Sequence, residues 1–236
     1  MIEQGGKKMN KKTIYSEMLY ILAIIILAFA VNLMSIADLG MSMIVCPAYI
    51  ISERFDFLTY GQSEYLTATI VFIIFCLVMK RFKISYLLSY LTGILYALFS
   101  DLIKILIPIF NQNLILSMNI RIVCFVIGMI LSGIAVSLFY KTYLYPQIYD
   151  FFVKVVAQKY QISIKIFKTC FDCSFLIISF VMSYALFGKL VGIGIGTVIM
   201  AFCNGVMIEQ FQKIIDQYFV CIPYFQKLET YLEGGI

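Results

Sequence analysis

The chain has 236 residues, of which 62% are hydrophobic and 13% charged, with a net charge of +5 and a mean hydropathy of +0.96. Soluble domains carry roughly a quarter charged residues, and a globule of this size cannot hide five or six separate runs of about 20 apolar residues, each long enough to span a bilayer. The composition therefore excludes a water-soluble domain. The positive charge lies in short lysine clusters beside apolar runs, which points to anionic lipid headgroups and away from nucleic acid.

The chain opens on MIEQGGKKMNKK, a polar, basic tail over 1–12. The first span is predicted from Ile14 to Ile36. The AFA at Ala28 to Ala30 imitates a signal-peptide cleavage site, but the apolar run continues past it for a full span and reads as a retained helix. Five further spans follow, near Gln62 to Met79, Ile84 to Pro108, Leu114 to Tyr140, Ile164 to Phe187 and Val191 to Ile215. Two connections are longer than the rest. Each contains a proline, Pro47 or Pro146, that interrupts helix and precedes a short amphipathic segment, AYIISERF in the first and QIYDFFVKVVAQKY in the second.

The order span, long loop with proline and short helix, span, tight turn, span therefore occurs twice. Three spans per unit make the second copy enter the membrane from the opposite side, giving an inverted repeat. The expected fold is all-α and polytopic, with six transmembrane helices. It divides into a tail over 1–12, repeats over 13–110 and 111–217, and a C-terminal tail over 218–236. With six spans, fourteen of the 18 Lys and Arg residues fall on the side of the termini, leaving Arg54, Lys104, Arg121 and Lys189 opposite. The positive-inside rule then places both termini in the cytoplasm and the protein in the plasma (inner) membrane.

Chemistry-bearing residues are few. There is no histidine, which removes His-based proton relays, His-containing zinc sites and Ser-His-Asp catalysis. The seven cysteines are scattered through apolar segments and read as small hydrophobes. Cys170 and Cys173 have redox spacing, yet an apolar run beside a carboxylate is the reverse of the electropositive setting that activates a thiol. No enzyme, metal or cofactor is expected.

The carboxylate in FKTCFDCSF, Asp172, lies about 12 Å along the fifth span, where a lone charge is costly. Lys168 stands one turn earlier on the same face. The pair reads either as a structural ion pair pinning this span to a neighbour or as a substrate- or proton-linked site. Asn32 and Asn204 are polar residues inside spans, suited to interhelical hydrogen bonds or to lining a pathway. Asp101 and Glu209 sit at matching depths near opposite bilayer edges, and Asp101 has Lys104 at i+3. Gly188, Gly192 and Gly196, spaced by four, and Gly205 read as helix-packing glycines; no lysine follows the glycine run at Gly192 to Gly196 as it does in a nucleotide loop.

The stretches ADLGMSMIVCPAYIISERF, YPQIYDFFVKVVAQKYQISIKIFKTCFDCS and VGIGIGTVIMAFCNGVMIEQF resemble the bacterial YczE/YyaS/YitT-type membrane proteins. The likeness runs from about Asp38 to Ile215, with FKT-x-x-D-C and GIGT followed by NG as its most specific pieces. Cys46-Pro47 stands where those proteins have Ser-Pro, and Thr92-Gly93 where they have Gly-Thr. The resemblance implies a six-span inner-membrane protein and brings no substrate with it.

The expectation is a small-solute or ion transporter. Its two loop helices would fold toward a central cavity bordered by Asp172, Lys168, Asn204 and Asn32, with Asp101 and Glu209 as further pathway candidates. The alternative is a non-enzymatic accessory subunit acting through the basic loop from Lys141 to Lys168. Expected partners are membrane lipids and an unidentified small solute or ion, with a homodimer or membrane complex open and nucleic acid excluded.

Overall fold

The computed structural model describes residues 11–111 and 116–233. Lys7 and Lys8 of the basic tail, and Leu114 at the expected start of the fourth span, lie outside the described residues. Six helical units are long and apolar enough to cross a membrane. They are α1 (Ser16–Ala37), α3 (Tyr60–Met79), a 3-10 turn (Ile84–Leu87) running into α4 (Leu88–Leu106), α5 (Met118–Lys141), α7 (Ile164–Phe187) and α8 (Ile195–Tyr218). Two short helices, α2 (Cys46–Arg54) and α6 (Ile148–Lys159), each follow the first span of their half, and α9 (Gln226–Glu233) comes last. The protein is an all-α polytopic membrane protein.

Two helices, α4 and α7, turn a largely polar stripe inward and apolar side chains outward, an arrangement lipid permits. Along α7 the buried residues are Lys168, Asp172, Phe175, Ser179 and Ser183, one stripe at helical spacing. Ile166, Ile177, Val181 and Tyr184 point outward and stay exposed. On α4 the buried residues are Ser89, Thr92 and Ser100. Water would drive those apolar faces inward, whereas lipid tails leave packing and hydrogen bonding to decide which face turns in.

Local signals set the ends. α3 begins at a capping box in which Thr59 and Gln62 satisfy each other's backbone N–H groups, and it ends at Lys80 in the left-handed region. Pro47 sits in the first turn of α2, where a missing N–H costs nothing, so it opens the helix rather than breaking one. Gly188, with φ of 68°, terminates α7, and a Cβ there would meet nothing within 4 Å. It caps a helix and packs against nothing, a correction to its reading as a packing glycine.

The contacts between elements pair across the two halves. α1 packs lengthwise on α5; α1 on α4 is matched by α5 on α8; α2 on α7 is matched by α6 on α3. Specific bonds repeat the pattern. Thr92 on α4 donates to the carbonyl of Tyr145 in the loop after α5, and Thr197 on α8 donates to that of Met41 in the loop after α1, each at 2.6 Å. Glu17 in the first turn of α1 accepts from Tyr143 just beyond α5, and Arg121 in the first turn of α5 holds Ala37 and Asp38 at the end of α1. The pairing fails in two places, since α6 on α4 has no equivalent in α2 on α8, and α3 and α4 do not pack as α7 and α8 do. α7 and α8 lie together along their length, whereas α3 and α4 meet chiefly through Tyr90, which contacts Phe72 and Thr69. α6 packs against both α3 and α4 and fills the space between them.

α6 runs inside the bundle alongside the second half of α3. Its end, Lys159, donates to the carbonyl of Met79 at the end of α3. Its beginning, Tyr149, bonds to Thr67, about 18 Å back along α3 at 1.5 Å per residue. Nine of its twelve residues are buried, and its aromatic contacts (Phe151 with Phe75, Tyr86 and Tyr145) form the centre of the largest core cluster. The connection read as a basic loop thus folds back into the body of the protein.

The segment read as a C-terminal tail is ordered over the described residues 218–233. β2 (Phe219–Ile222) pairs in parallel with β1 (Lys12–Tyr15), in register from Lys12 with Phe219 to Tyr15 with Ile222. Glu17 accepts the N–H groups of Tyr224 and Phe225, and Tyr145 donates to the carbonyl of Leu232. The segments that flank the first and last spans, Lys12–Tyr15 and Phe219–Ile222, therefore meet at one face. Burial, then donation to Glu17, raises the pKa of Tyr143 and keeps its phenol a donor in this clasp.

Candidate functional site: a buried charge cluster

Lys168 is fully buried with its ammonium between two carboxylates. Nζ lies 2.9 Å from Asp150 Oδ1 and 3.1 Å from Asp172 Oδ1. The contact to Asp150 is an aligned hydrogen bond. At Asp172 the distance is that of an ion pair, but Oδ1 takes no aligned hydrogen bond. Asp172 Oδ2 accepts from Asn204 Nδ2 at 3.2 Å, and Tyr140 donates to Asp150 Oδ1 at 3.4 Å. Four elements converge here: α5 through Tyr140, α6 through Asp150, α7 through Lys168 and Asp172, and α8 through Asn204.

Each member is placed for a local reason. Lys168 and Asp172, four apart on α7, face the same way by helix geometry. Asn204 reaches α7 because its neighbour Gly205 has no side chain. A Cβ at Gly205 would stand 2.5 Å from Thr169 Oγ1 and 2.7 Å from the Lys165 carbonyl oxygen, so only glycine lets α8 approach this closely. Asp150 lies in the first turn of α6, where the helix dipole favours negative charge. α6 reaches this depth because the chain from Thr142 to Gln147, with Pro146 in it, runs back inward and hands the Tyr145 carbonyl to Thr92.

Of the residues predicted for the site, Asp172, Lys168 and Asn204 meet, and Asn32 does not. Its amide donates to the Ala28 carbonyl on its own helix and to Ser100 on α4, tying α1 to α4 away from the charges. Asp101 pairs with Lys104 at 3.8 Å near the end of α4, largely exposed. Glu209 pairs with Lys213 on α8 at 2.8 Å. The charge cluster itself is buried, and two surface clefts lie away from it. One is bounded by Met41, Tyr49, Glu53 and Tyr60 beside α2, the other by Phe72, Leu77, Lys80 and Phe82 on the outer side of α3.

Two members were missed in the sequence, Asp150 and Tyr140. The signal for Asp150 was divided: from Ile148 to Ala157 the segment IYDFFVKVVA is apolar except for Asp150 and Lys154, which stand one turn apart on the same face, a pattern that suits a membrane surface as well as an interior. Gly196 packs against Phe125 and the Leu39 carbonyl, and Gly192 against Tyr49 and Cys46. All seven cysteines are free, and burial raises the pKa of the Cys46 thiol, away from the reactive thiolate. Among the described residues no group of three His, Cys, Asp or Glu side chains is placed to hold a metal ion.

No curated protein and no solved structure matches this chain. A family model does, over residues 14–213, a range that runs from within β1 through the buried charge cluster to Lys213 on α8. The chain belongs to the family of unknown function DUF6198.

Proposed function

We propose that the protein is a carrier for a small polar solute or ion, with Asp150, Lys168, Asp172 and Asn204 as its polar centre. The observation that carries this reading is the burial of three ionisable groups at one point inside a membrane protein, one of them delivered by a short helix that runs inside the bundle. Intramembrane charges are expensive and mark solute or ion pathways in such proteins, and interrupted helices commonly present them. A purely structural ion pair would need neither the second carboxylate nor the return of α6 into the bundle.

The two halves, 13–110 and 111–217, then act as inverted repeats. In support, the interhelical contacts and the Thr92/Thr197 and Glu17/Arg121 bonds pair across the halves. The unmatched contacts also fit: an inverted-repeat carrier holds its halves in different conformations and exchanges them during transport. Here α7 and α8 are closed while α6 separates α3 from α4. The lysine distribution supports cytoplasmic termini in a plasma membrane. The YczE/YyaS/YitT likeness adds the same six-span plan.

The alternative, an accessory subunit that binds partners through 141–168, has less to work with. Lys141 pairs with Asp216, Lys154 donates to the carbonyls of Phe139 and Thr142, Lys159 donates to Met79, and Lys168 is buried. Two experiments decide. In supported-membrane recordings from proteoliposomes, challenged with pools of amino acids, sugars, organic anions and inorganic ions, wild type gives a solute-evoked current. Asp172→Asn lowers that current roughly tenfold or more, about 1.4 kcal/mol in the transport barrier; a folded variant carrying solute at the wild-type rate overturns the site. In a cysteine-free background, Ser42→Cys and Gln161→Cys react with an impermeant maleimide from opposite sides. Labelling from one side overturns the architecture.

A further inference from the structure

We infer that the cleft on the outer side of α3 is a binding site for one anionic phospholipid, its phosphate held at Lys80 and Arg81 and an acyl chain laid along the helix. This goes beyond the carrier reading and does not depend on it.

The cleft lies where two consecutive spans part. α3 and α4 meet chiefly through Tyr90, and the outer face of α3 near the turn between them is left uncovered. A cleft of about 580 Å³ occupies that face, bounded by Phe72 at one end and by Lys80, Arg81 and Phe82 at the other. Its wall is apolar: Ile73, Leu77 and Phe82 are 53%, 70% and 63% exposed. Phe82 turns back along α3, and its ring meets that of Phe72 edge to face with centroids 6.1 Å apart. From Phe72 to Lys80 the wall is about 12 Å long at 1.5 Å per helical residue. An exposed apolar wall of this kind is a surface for lipid tails.

Charge selects the lipid. Lys80 and Arg81 stand exposed at the end of the wall, and among the described residues neither forms an ion pair. The carbonyl end of a helix repels a phosphate, but that end of α3 is covered. Lys159 donates to the Met79 carbonyl at 3.2 Å and Tyr160 to the Val78 carbonyl at 3.3 Å. The end of α6 thus satisfies the terminus of α3, adds a third cation beside it, and leaves Lys80 and Arg81 for a ligand. A phosphate at the membrane edge with an apolar chain running inward from it is the shape of a phospholipid, and basic pockets at span ends bind anionic ones. The planar guanidinium of Arg81 suits two phosphate oxygens at once. A zwitterionic headgroup would bring its own ammonium against three cations, whereas an anionic one brings none.

The chain contains no tryptophan, so Leu77→Trp places a single fluorescent reporter in the cleft. It is read in phosphatidylcholine vesicles doped with phosphatidylglycerol or phosphatidylcholine whose acyl chains are brominated and quench on contact. Brominated phosphatidylglycerol is expected to quench as though enriched about fivefold or more at the reporter. Lys80→Gln together with Arg81→Gln in the same background is expected to remove that enrichment. Equal quenching by the two lipids overturns the inference, as does enrichment that survives the loss of both cations. Quenching by neither lipid means that a second copy or another protein covers the cleft. Enrichment abolished by inorganic phosphate at constant ionic strength means a site for the free ion. Either result also overturns it. Wild type needs no reporter: exposed to both lipids in equal amounts, it is expected to retain phosphatidylglycerol over phosphatidylcholine in native mass spectrometry. Equal retention there overturns the inference whether or not the variants fold.

Discussion

Lys168→Met is expected to destabilise the protein more than any other single change to its interior charges, by about 3–5 kcal/mol. The methionine fills the space of the lysine stem, so the loss is electrostatic: two carboxylates that shared an ammonium at 2.9 and 3.1 Å now face each other without it. Breaking a buried pair from one side leaves charge that neither water nor protein compensates. In a chain of this length about 3–5 kcal/mol lowers the melting temperature by roughly 10 °C or more, readable as loss of monodisperse protein on heating in detergent. The triple variant Lys168→Met, Asp150→Asn, Asp172→Asn is expected to recover most of that loss, because neutral amides no longer require the cation. A single variant as heat-stable as wild type would mean that the ammonium is not shared as described. Arginine is not a conservative replacement, since its planar fork cannot take the place of a compact ammonium in a closed site.

The second large effect is expected at Gly194→Ala, far from the charges. The loop after α1 lies on the beginning of α8: Met41 donates to the Gly192 carbonyl, Gly196 to the Leu39 carbonyl at 2.8 Å, and Thr197 to the Met41 carbonyl. A Cβ on Gly194 would collide with the Leu39 carbonyl oxygen and stand 2.7 Å from its carbon and 2.8 Å from Gly40 Cα. All three atoms are backbone and cannot rotate away. Gly40, with φ of 114°, faces it from the other side and is itself held to glycine. Loop and helix must separate, losing these bonds, at about 2–4 kcal/mol. Two other glycines calibrate the result. Gly188→Ala meets no atoms but has φ of 68°, costing about 1 kcal/mol. Gly93→Ala lies in α4 with open space around it and is expected to stabilise by up to about 1 kcal/mol. Melting temperatures should therefore fall in the order Gly93→Ala, wild type, Gly188→Ala, Gly194→Ala; a Gly194→Ala protein at or above the Gly188→Ala value would contradict the close approach.

The amino-acid sequence by itself determined the six spans, because a run of about 20 apolar residues has one stable environment and prolines and charges mark its ends. It also determined that Lys168 and Asp172 face the same way, since four residues on one helix leave no other choice. It could not assign Asp150 to them, nor remove Asn32. Asp150 is 18 residues from Lys168 in the chain, and its segment sets Asp150 and Lys154 on one face among apolar side chains, which suits a membrane surface as well as an interior. Only the tertiary structure drew α6 inward, through Thr92 on Tyr145, Thr67 on Tyr149 and the aromatic contacts of Phe151. Likewise Asn204 joined Asp172 because Gly205 lets two helices close, and Asn32 found Ser100 instead because α1 packs on α4. Spans are written in local hydrophobicity, whereas the partner of a buried charge is fixed by which helices approach closely enough to reach it.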